Sequence, residues 1–157
     1  MRLRILAPLL CLFSLWFVGC PQSGPQKVIP TSAVPVTGII TLDGKPLASA
    51  KITFVPTDNS QGSGASGSTD SAGKYELRAL FGNKSVVGCP PGNYKVVVSL
   101  MVKPDGSPMP ADSQEPPMMS GARESLPLKY ADFVSTQLSA SVASSGSTFN
   151  FDLKSGE

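Results

Sequence analysis

The sequence predicts an all-β protein, a seven-stranded antiparallel β-sandwich. Apolar and polar residues alternate with period two in several short runs, which is typical of strands that cover a single core. Turn-forming residues separate these runs, and the 157 residues include 15 Gly and 15 Pro. No segment combines a sustained period of 3.6 residues with helix caps, so we expect almost no helix.

Six runs carry the alternation, and each places its apolar side chains on one face. They span residues 36–42, 51–55, 74–78, 93–101, 138–142 and 149–153. In the longest run, Tyr94, Val96 and Val98 lie on the same side of the chain. A further short strand is expected over 65–69, at the end of a small and polar loop that begins at residue 57.

Turn residues lie between the predicted strands. Asp43-Gly44 follows the first strand and is a strong signal for a tight hairpin turn. The segments 70–73 and 90–93 precede the third and fourth runs, and both contain Gly. The segment 144–147, Ser-Ser-Gly-Ser, is expected to join the last two strands as a hairpin.

The first twenty residues have the pattern of an export signal. Arg2 and Arg4 give a positive start, and residues 5–18 carry no charge. This apolar run is shorter than the 18 or more residues that a membrane-spanning helix needs. Residues 17–20, Phe-Val-Gly-Cys, resemble a bacterial lipobox. The resemblance implies that residues 1–19 are removed as a signal peptide and that Cys20 becomes the lipid-modified N-terminus.

The residues that follow the lipobox have the composition of a flexible linker. We expect residues 20–33 to form a flexible tether that spans about 20 Å, between the membrane and a domain over 34–154. Loss of Arg2 and Arg4 would lower the Lys and Arg count from 13 to 11, which equals the 11 Asp and Glu. A nearly neutral domain is not expected to bind nucleic acid. Only Cys89 would remain in the domain, so no internal disulfide is expected.

Three sequence motifs follow one another in the predicted domain. Residues 36–54 read VTGIITLDGKPLASAKITF, residues 70–77 read DSAGKYEL, and residues 91–98 read PGNYKVVV. In this order they resemble the elements of the carboxypeptidase regulatory-like family. The resemblance implies a transthyretin-like (prealbumin-like) sandwich, and it carries no catalytic residue over to this chain. The segment 126–153 is similar to the end of small bacterial lipoproteins that contain this domain.

The composition disfavours catalysis. The sequence contains no His, the commonest general base and metal ligand. Transthyretin-like hydrolases and intradiol dioxygenases, which have similar sandwiches, need His, so neither set of residues can be assembled. Asp43, Asp58, Asp70, Asp105 and Asp132 stand singly, mostly at predicted turns, and turn formation is their expected role. We therefore expect a protein that is not an enzyme and has no cofactor.

A Pro-rich stretch over residues 102–128 interrupts the strand pattern. A connection of this length is unusual in a compact domain and is either functional or disordered. Because loops on a rigid scaffold commonly carry recognition, we expect partner contacts there. The candidate contact residues are Pro104, Pro108, Met109, Pro116, Pro117, Met118 and Met119.

Together these features predict a lipid-anchored protein of the bacterial cell envelope, which acts as a non-catalytic structural or protein-interaction module. Its expected partners are the membrane and an envelope protein. Carbohydrate binding is an alternative, although most aromatic residues fall on the apolar faces of strands. Binding of Cu(I) by Met101, Met109, Met118 and Met119, with Cys89 nearby, is a third interpretation. Otherwise Cys89 is expected to be a small buried hydrophobe.

Overall fold

The computed structural model describes residues 32–57, 64–111 and 113–156. The predicted signal peptide, Cys20 and almost all of the predicted tether lie outside the described residues. The described part consists of short strands and two single-turn helices. The predicted fold class is confirmed, since the strands form an all-β sandwich of mainly antiparallel sheets.

Thirteen strands and two helices lie within the described ranges. The strands are β1 Val36–Leu42, β2 Lys45–Pro46, β3 Lys51–Pro56, β4 Ala65–Ser68, β5 Lys74–Glu76, β6 Arg78–Phe81, β7 Lys84–Val87, β8 Gly92–Ser99, β9 Met101–Val102, β10 Arg123–Glu124, β11 Ser139–Val142, β12 Ser147–Thr148 and β13 Phe151–Leu153. The helices are α1 Pro117–Ser120 and α2 Leu128–Ala131. Each of the six alternating runs contains a strand, as predicted. In this part of the chain, neither helix has the length or apolarity to cross a membrane.

The larger sheet, named the six-stranded sheet, is antiparallel throughout and has the order β11-β8-β3-β4-β6-β7. At its centre, β3 pairs with β8 so that Ile52 lies opposite Val98 and Phe54 opposite Val96. All four side chains are buried. Because alternate residues of a strand face opposite sides of the sheet, this register directs one apolar row into the core.

The second sheet, named the β1 sheet, is built around β1. Strands β2 and β5 pair antiparallel with β1, whereas β12 and β13 pair parallel with it. Asp43 and Gly44 form the β1–β2 turn with φ angles of 53° and 78°. Positive φ at both central residues is what a two-residue hairpin requires, so the predicted turn at Asp43-Gly44 is confirmed.

The chain passes from one sheet to the other at Leu77. This residue lies between β5, in the β1 sheet, and β6, in the six-stranded sheet. Its N–H donates to the Val36 carbonyl oxygen at 3.0 Å, and its own carbonyl oxygen accepts from the Gly88 N–H at 2.6 Å. The crossing therefore leaves neither backbone group of Leu77 unsatisfied. The core between the sheets includes Val36, Ile40, Tyr75, Tyr94, Phe151 and Leu153.

The predicted hairpin over residues 144–147 is wrong. Strand β11 pairs with β8 in the six-stranded sheet, whereas β12 and β13 pair with β1. The Ser-Ser-Gly-Ser segment is therefore a crossover between the two sheets. Its turn chemistry specifies a bend in the chain, but it does not specify which strand becomes the neighbour of the next one.

The β6–β7 hairpin was not predicted from the sequence. Its strands pair antiparallel, with Arg78 opposite Val87 and Phe81 opposite Lys84. All four residues of β7 are exposed. The strand therefore has no apolar row directed into the core, and without such a row the period-two signal is absent.

Candidate functional site

The connection between β8 and α2 leaves the sandwich and returns to it at one place. This place, formed by β9, β10 and the residues next to them, is named the loop base. There β9 and β10 pair antiparallel, with Met101 opposite Glu124. Just after β10, the Ser125 N–H donates to the Leu100 carbonyl oxygen at 2.9 Å. The predicted connection 102–128 thus has a short ladder of its own and is folded against the sandwich.

The carboxylate of Glu124 joins the two segments of the chain that form the loop base. Glu124 accepts hydrogen bonds from the Ser99 hydroxyl at 2.6 Å and from the Leu100 N–H at 2.9 Å. It also accepts from the N–H groups of Ser125 and Leu126, both at 3.0 Å. The Ser99 hydroxyl binds Oε2, whereas the three N–H groups share Oε1, so Oε1 has no lone-pair position left for a further donor. Leu126 is buried, which ties the same segment to the core.

Two of the predicted contact residues lie close to this base. Pro108 is opposite Val102 in an isolated bridge, and its side chain is exposed. The Met109 N–H donates to the Met101 carbonyl oxygen at 2.7 Å. These bonds fold the first part of the loop back along β9, so Pro108 and Met109 are not at its far end.

The far end of the loop is the helix α1. Pro116 precedes it, and Pro117 occupies the first helical position, where the missing N–H has no intrahelical partner to lose. Gly121 ends the helix at φ 69°, in the left-handed region that favours glycine. A Cβ at Gly121 would lie 3.3 Å from Cγ of Pro104, so Pro104 is adjacent to this end of the helix. The surface named the loop tip consists of Pro104, Pro116, Pro117, Met118 and Met119.

The loop tip exposes two consecutive methionine side chains. Met118 is 95% exposed and Met119 is 78% exposed, and the three prolines of the tip are exposed as well. The structure therefore brings five of the seven predicted contact residues together on one surface that faces solvent. Single exposed apolar residues are common on proteins, but a contiguous group of them is a feature of interaction surfaces.

Met109 does not belong to this surface, which corrects the prediction that it contacts a partner. Its side chain is only 4% exposed, and its Sδ lies 3.7 Å from the Ser120 hydroxyl oxygen. Ser120 is the last residue of α1, so Met109 lies beneath the helix. Its flexible thioether fills the space under the loop tip, as methionine commonly does in irregular packing.

The proposed Cu(I) ligands lie in different surroundings within the described ranges, although Met101 and Met109 line the same cavity. Met118 and Met119 lie on the outer surface, Met109 is buried below them, and Cys89 is in the core between the two sheets. Burial raises the pKa of Cys89 to about 11, so the thiol is protonated at neutral pH, whereas metals bind the thiolate. The prediction that Cys89 is a small buried hydrophobe is confirmed.

The single aspartates form turns. Asp43, Asp105 and Asp132 each accept hydrogen bonds from a serine, and these bonds are the main reason that the pKa of each carboxyl lies below its usual value. Asp70 accepts from two backbone N–H groups of its own turn. Asp58 lies outside the described residues. Among the residues described, no three His, Cys, Asp or Glu side chains are grouped as metal ligands would be.

A second candidate site, named the sheet groove, lies on the outer face of the β1 sheet. It has a volume of about 510 Å³ and extends over β1, β5 and the segment from β12 to β13. Ile39, one of its lining residues, is apolar and 38% exposed. The polar residues around it are Thr37, Asp70, Lys74, Glu76, Thr148 and Asn150.

The sheet groove lies over an interruption of the parallel ladder. The Phe149 carbonyl oxygen accepts a hydrogen bond from the Tyr75 hydroxyl at 2.8 Å. The Ile39 N–H donates instead to Oδ1 of Asn150, at 3.0 Å. Gly38 makes this arrangement possible, because a Cβ there would lie 1.7 Å from the Phe149 oxygen. Burial raises the pKa of Tyr75, so its hydroxyl keeps the proton that it donates.

The polar groups of the sheet groove are suited to a ligand that is rich in hydroxyl groups. Lys74 and Glu76 are two residues apart on β5 and therefore face the same side of the sheet. Within the described part of the chain, neither side chain forms an ion pair. With the hydroxyls of Thr37 and Thr148, they place donors and acceptors around the aliphatic side chain of Ile39.

No family model matches the chain, and no curated protein is similar to it. Two solved structures resemble it weakly. The major pilin subunit of Bacillus cereus has 9% identity and a TM-score of 0.38, over 80% of this chain and 30% of that one. A 9R-lipoxygenase from Cyanothece has 13% identity and a TM-score of 0.33, over 78% of this chain and 16% of that one. The chain spans less than a third of either protein, and neither similarity identifies a family or a function.

Proposed function

We propose that the protein is a lipid-anchored module of the bacterial cell envelope that acts by protein contact and not by catalysis. Its contact surface is the loop tip. The observation that carries this proposal is the exposure of Met118 and Met119 on a loop whose base is fixed by Glu124. Flexible, polarizable methionine side chains are common on surfaces that accept protein partners.

The fixed loop base lowers the entropic cost of such a contact. Because one carboxylate bonds both segments of the base and Leu126 is buried, the backbone at the base is held in place before a partner arrives. Little of the base therefore remains to be ordered on binding, and each side-chain rotamer of the loop tip that becomes fixed costs about 0.5–1.5 kcal/mol. An apolar surface organised in this way supports a specific contact better than an unstructured linker would.

The proposed anchor depends on the lipobox-like residues 17–20 and on the short apolar run before them. Two or more acyl chains on Cys20 would hold the protein stably at a membrane, since each buried methylene contributes about 0.8 kcal/mol. The tether over residues 20–33 would then separate the sandwich from the membrane surface by about 20 Å. This distance gives the loop tip access to other envelope proteins.

A photo-crosslinking amino acid at position 119, in place of Met119, tests the contact in intact cells. We expect a discrete crosslinked product from this position. The control places the same amino acid at Val134, an apolar residue that is 81% exposed in the connection between α2 and β11. Either the absence of a product at position 119 or the same products at both positions would contradict the proposed contact.

The anchor is tested separately by the intact mass of the protein extracted from membranes. We expect a chain that begins at Cys20 and carries the mass of its acyl groups. The Cys20→Ser variant is expected to lose these groups and to leave the membrane fraction. A wild-type product with an unmodified first residue would contradict the proposed anchor and leave the contact proposal to its own test.

The sheet groove favours a second candidate function, the binding of an uncharged saccharide. Ile39 offers an aliphatic surface to a sugar ring, and the polar groups around it can donate and accept hydrogen bonds. Calorimetric titration of the Cys20→Ser protein with uncharged oligosaccharides tests this function. We expect saturable binding that weakens in Glu76→Gln and persists in Glu115→Gln, which changes an exposed carboxylate of the loop. Titrations without saturation would exclude it.

A further inference from the structure

The methionines of the described ranges differ sharply in their access to solvent. Met118 and Met119 are almost fully exposed, Met101 is half-buried, and Met109 is buried. All four belong to the same excursion from the sandwich, so their rates of oxidation can be compared within one segment of the chain. Met1 lies outside the described residues.

The difference in exposure follows from the geometry of α1. This helix has one turn, and none of its four residues is buried. On its inner side, the Ser120 hydroxyl oxygen lies 3.7 Å from Sδ of Met109 and covers the thioether. A soluble oxidant can therefore approach the sulfur atoms of Met118 and Met119, while the sulfur of Met109 is shielded.

We propose that Met118 and Met119 form a peroxide-sensitive modification site, at which oxidation converts the apolar loop tip into a polar surface. The co-reactant is a hydroperoxide. A lone pair of the thioether sulfur attacks the outer peroxide oxygen, the O–O bond breaks, and a sulfur–oxygen bond forms. The sulfur loses two electrons and becomes a sulfoxide, and the peroxide is reduced to water or an alcohol after the leaving oxygen takes up a proton.

The modification changes the surface and leaves the fold intact. Neither methionine belongs to the core cluster, so a sulfoxide at position 118 or 119 displaces no buried side chain. A polar, chiral sulfoxide disrupts interfaces that are rich in methionine. If the loop tip is the contact surface, as proposed above, oxidation of these two residues weakens the partner contact.

Peptide mapping of the full-length protein by mass spectrometry tests the modification site. The folded protein is exposed to hydrogen peroxide for increasing times, and sulfoxide is quantified at each methionine. We expect Met118 and Met119 to oxidise at least about tenfold faster than Met109, as their exposure predicts. The same treatment in denaturant is expected to bring the rates together. Equal rates in the folded protein would overturn the proposal.

The consequence for binding is tested with the photo-crosslinking amino acid at Pro116, so that both methionines are retained. Peroxide treatment of cells is expected to lower the crosslinked product about tenfold in the wild type, and to leave it unchanged in Met118→Leu/Met119→Leu, because leucine has no sulfur to oxidise. An undiminished product from wild-type protein with both sulfoxides present would overturn the switch. If untreated cells gave no product at all, the contact proposal would fail instead, and the mapped rates alone would decide the modification site.

Discussion

The interrupted ladder of the β1 sheet and the loop base both contain backbone groups that lie outside a regular ladder, but the two places differ in their burial. In both places, backbone groups that leave a regular ladder need new hydrogen-bond partners. In the β1 sheet, the hydroxyl of the buried Tyr75 donates to the Phe149 carbonyl oxygen, which lies so close to Gly38 that no Cβ fits there. At the loop base, the half-buried Glu124 carboxylate collects four donors.

The interruption in the β1 sheet therefore belongs to the part of the molecule that stabilises the fold, whereas the loop base belongs to the part that presents the contact surface. The ladder interruption adjoins the core through the buried Tyr75, so a change there disturbs the packing of the β1 sheet on the core. The loop base is stabilised by a few polar bonds at the edge of the sandwich, and its apex is almost fully exposed. We therefore expect substitutions in the first region to affect global stability, and substitutions in the second to affect local order and binding.

The largest effect is expected for Gly38→Ala. Its Cβ would lie within bonding distance of the Phe149 oxygen, so the β1 sheet must move or the strand must leave it. We expect the free energy of unfolding to fall by more than about 3 kcal/mol in chemical denaturation. The control is Gly156→Ala, which meets no atom within 4 Å and should leave stability unchanged. Similar stabilities for the two variants would disprove the close approach at Gly38.

A smaller loss is expected for Tyr75→Phe, which keeps the ring and removes only the hydroxyl. The Phe149 carbonyl oxygen would then lose its donor, at a cost of about 1–3 kcal/mol in the free energy of unfolding. Tyr130→Phe is the matched control, because the Tyr130 hydroxyl accepts from the Lys154 N–H at 3.2 Å in an exposed setting. We expect this control to lose less than about 1 kcal/mol. Equal losses would refute the importance of burial at Tyr75.

At the loop base, Glu124→Ala is expected to act locally. Removal of the carboxylate leaves the N–H groups of Leu100 and Leu126 without their acceptor, so hydrogen exchange at both should accelerate, whereas the Ser125 N–H retains the Leu100 carbonyl oxygen. The free energy of unfolding should fall by no more than about 2 kcal/mol. Glu124→Gln keeps one acceptor oxygen and should lie between Ala and wild type, and Glu115→Ala should change neither quantity. A global loss as large as that of Gly38→Ala would contradict the separation of the two regions.

The smallest effect concerns Cys89 and pH. Burial raises its pKa from about 9 to about 11, so the folded state favours the neutral thiol. Its contribution to stability is therefore constant below pH 9 and is lost as the pH rises towards 11. Burial also raises the pKa of Tyr75 and Tyr94, so the comparison must be made with Cys89→Ala. We expect wild-type stability to fall more steeply than that of the variant between pH 9 and 11, and parallel curves would contradict this account.

The sandwich was predictable where one face of a strand is buried and the other is wet. The runs at β1, β3 and β8 show this pattern directly, and the Asp43-Gly44 turn needs only local chemistry. Strand β7 was not predictable because all of its residues are exposed. The parallel pairing of β1 with β12 and β13 was not predictable either, since it joins residues that are 111 positions apart, as in the bond from Ile39 to Asn150.

The candidate site was only partly accessible to sequence reasoning. Proline content indicated the loop, but the burial of Met109 depends on how the loop folds under α1, and the loop has no periodic pattern. The role of Glu124 could not be predicted from the sequence, because a single glutamate in a polar segment is usually solvated. Gly38 did carry a usable signal: an isolated glycine inside a strand pattern commonly marks a bulge or a close backbone approach.

The central claim is tested most directly by a pull-down of the Met118→Ser/Met119→Ser variant after chemical crosslinking of intact cells, combined with its melting temperature. The account predicts that the partner disappears from the pull-down while the melting temperature stays within about 2 °C of wild type. The control Val134→Ser should retain both. A variant that is produced at the wild-type level and still captures the same partner would contradict the claim that this protein acts through its loop tip.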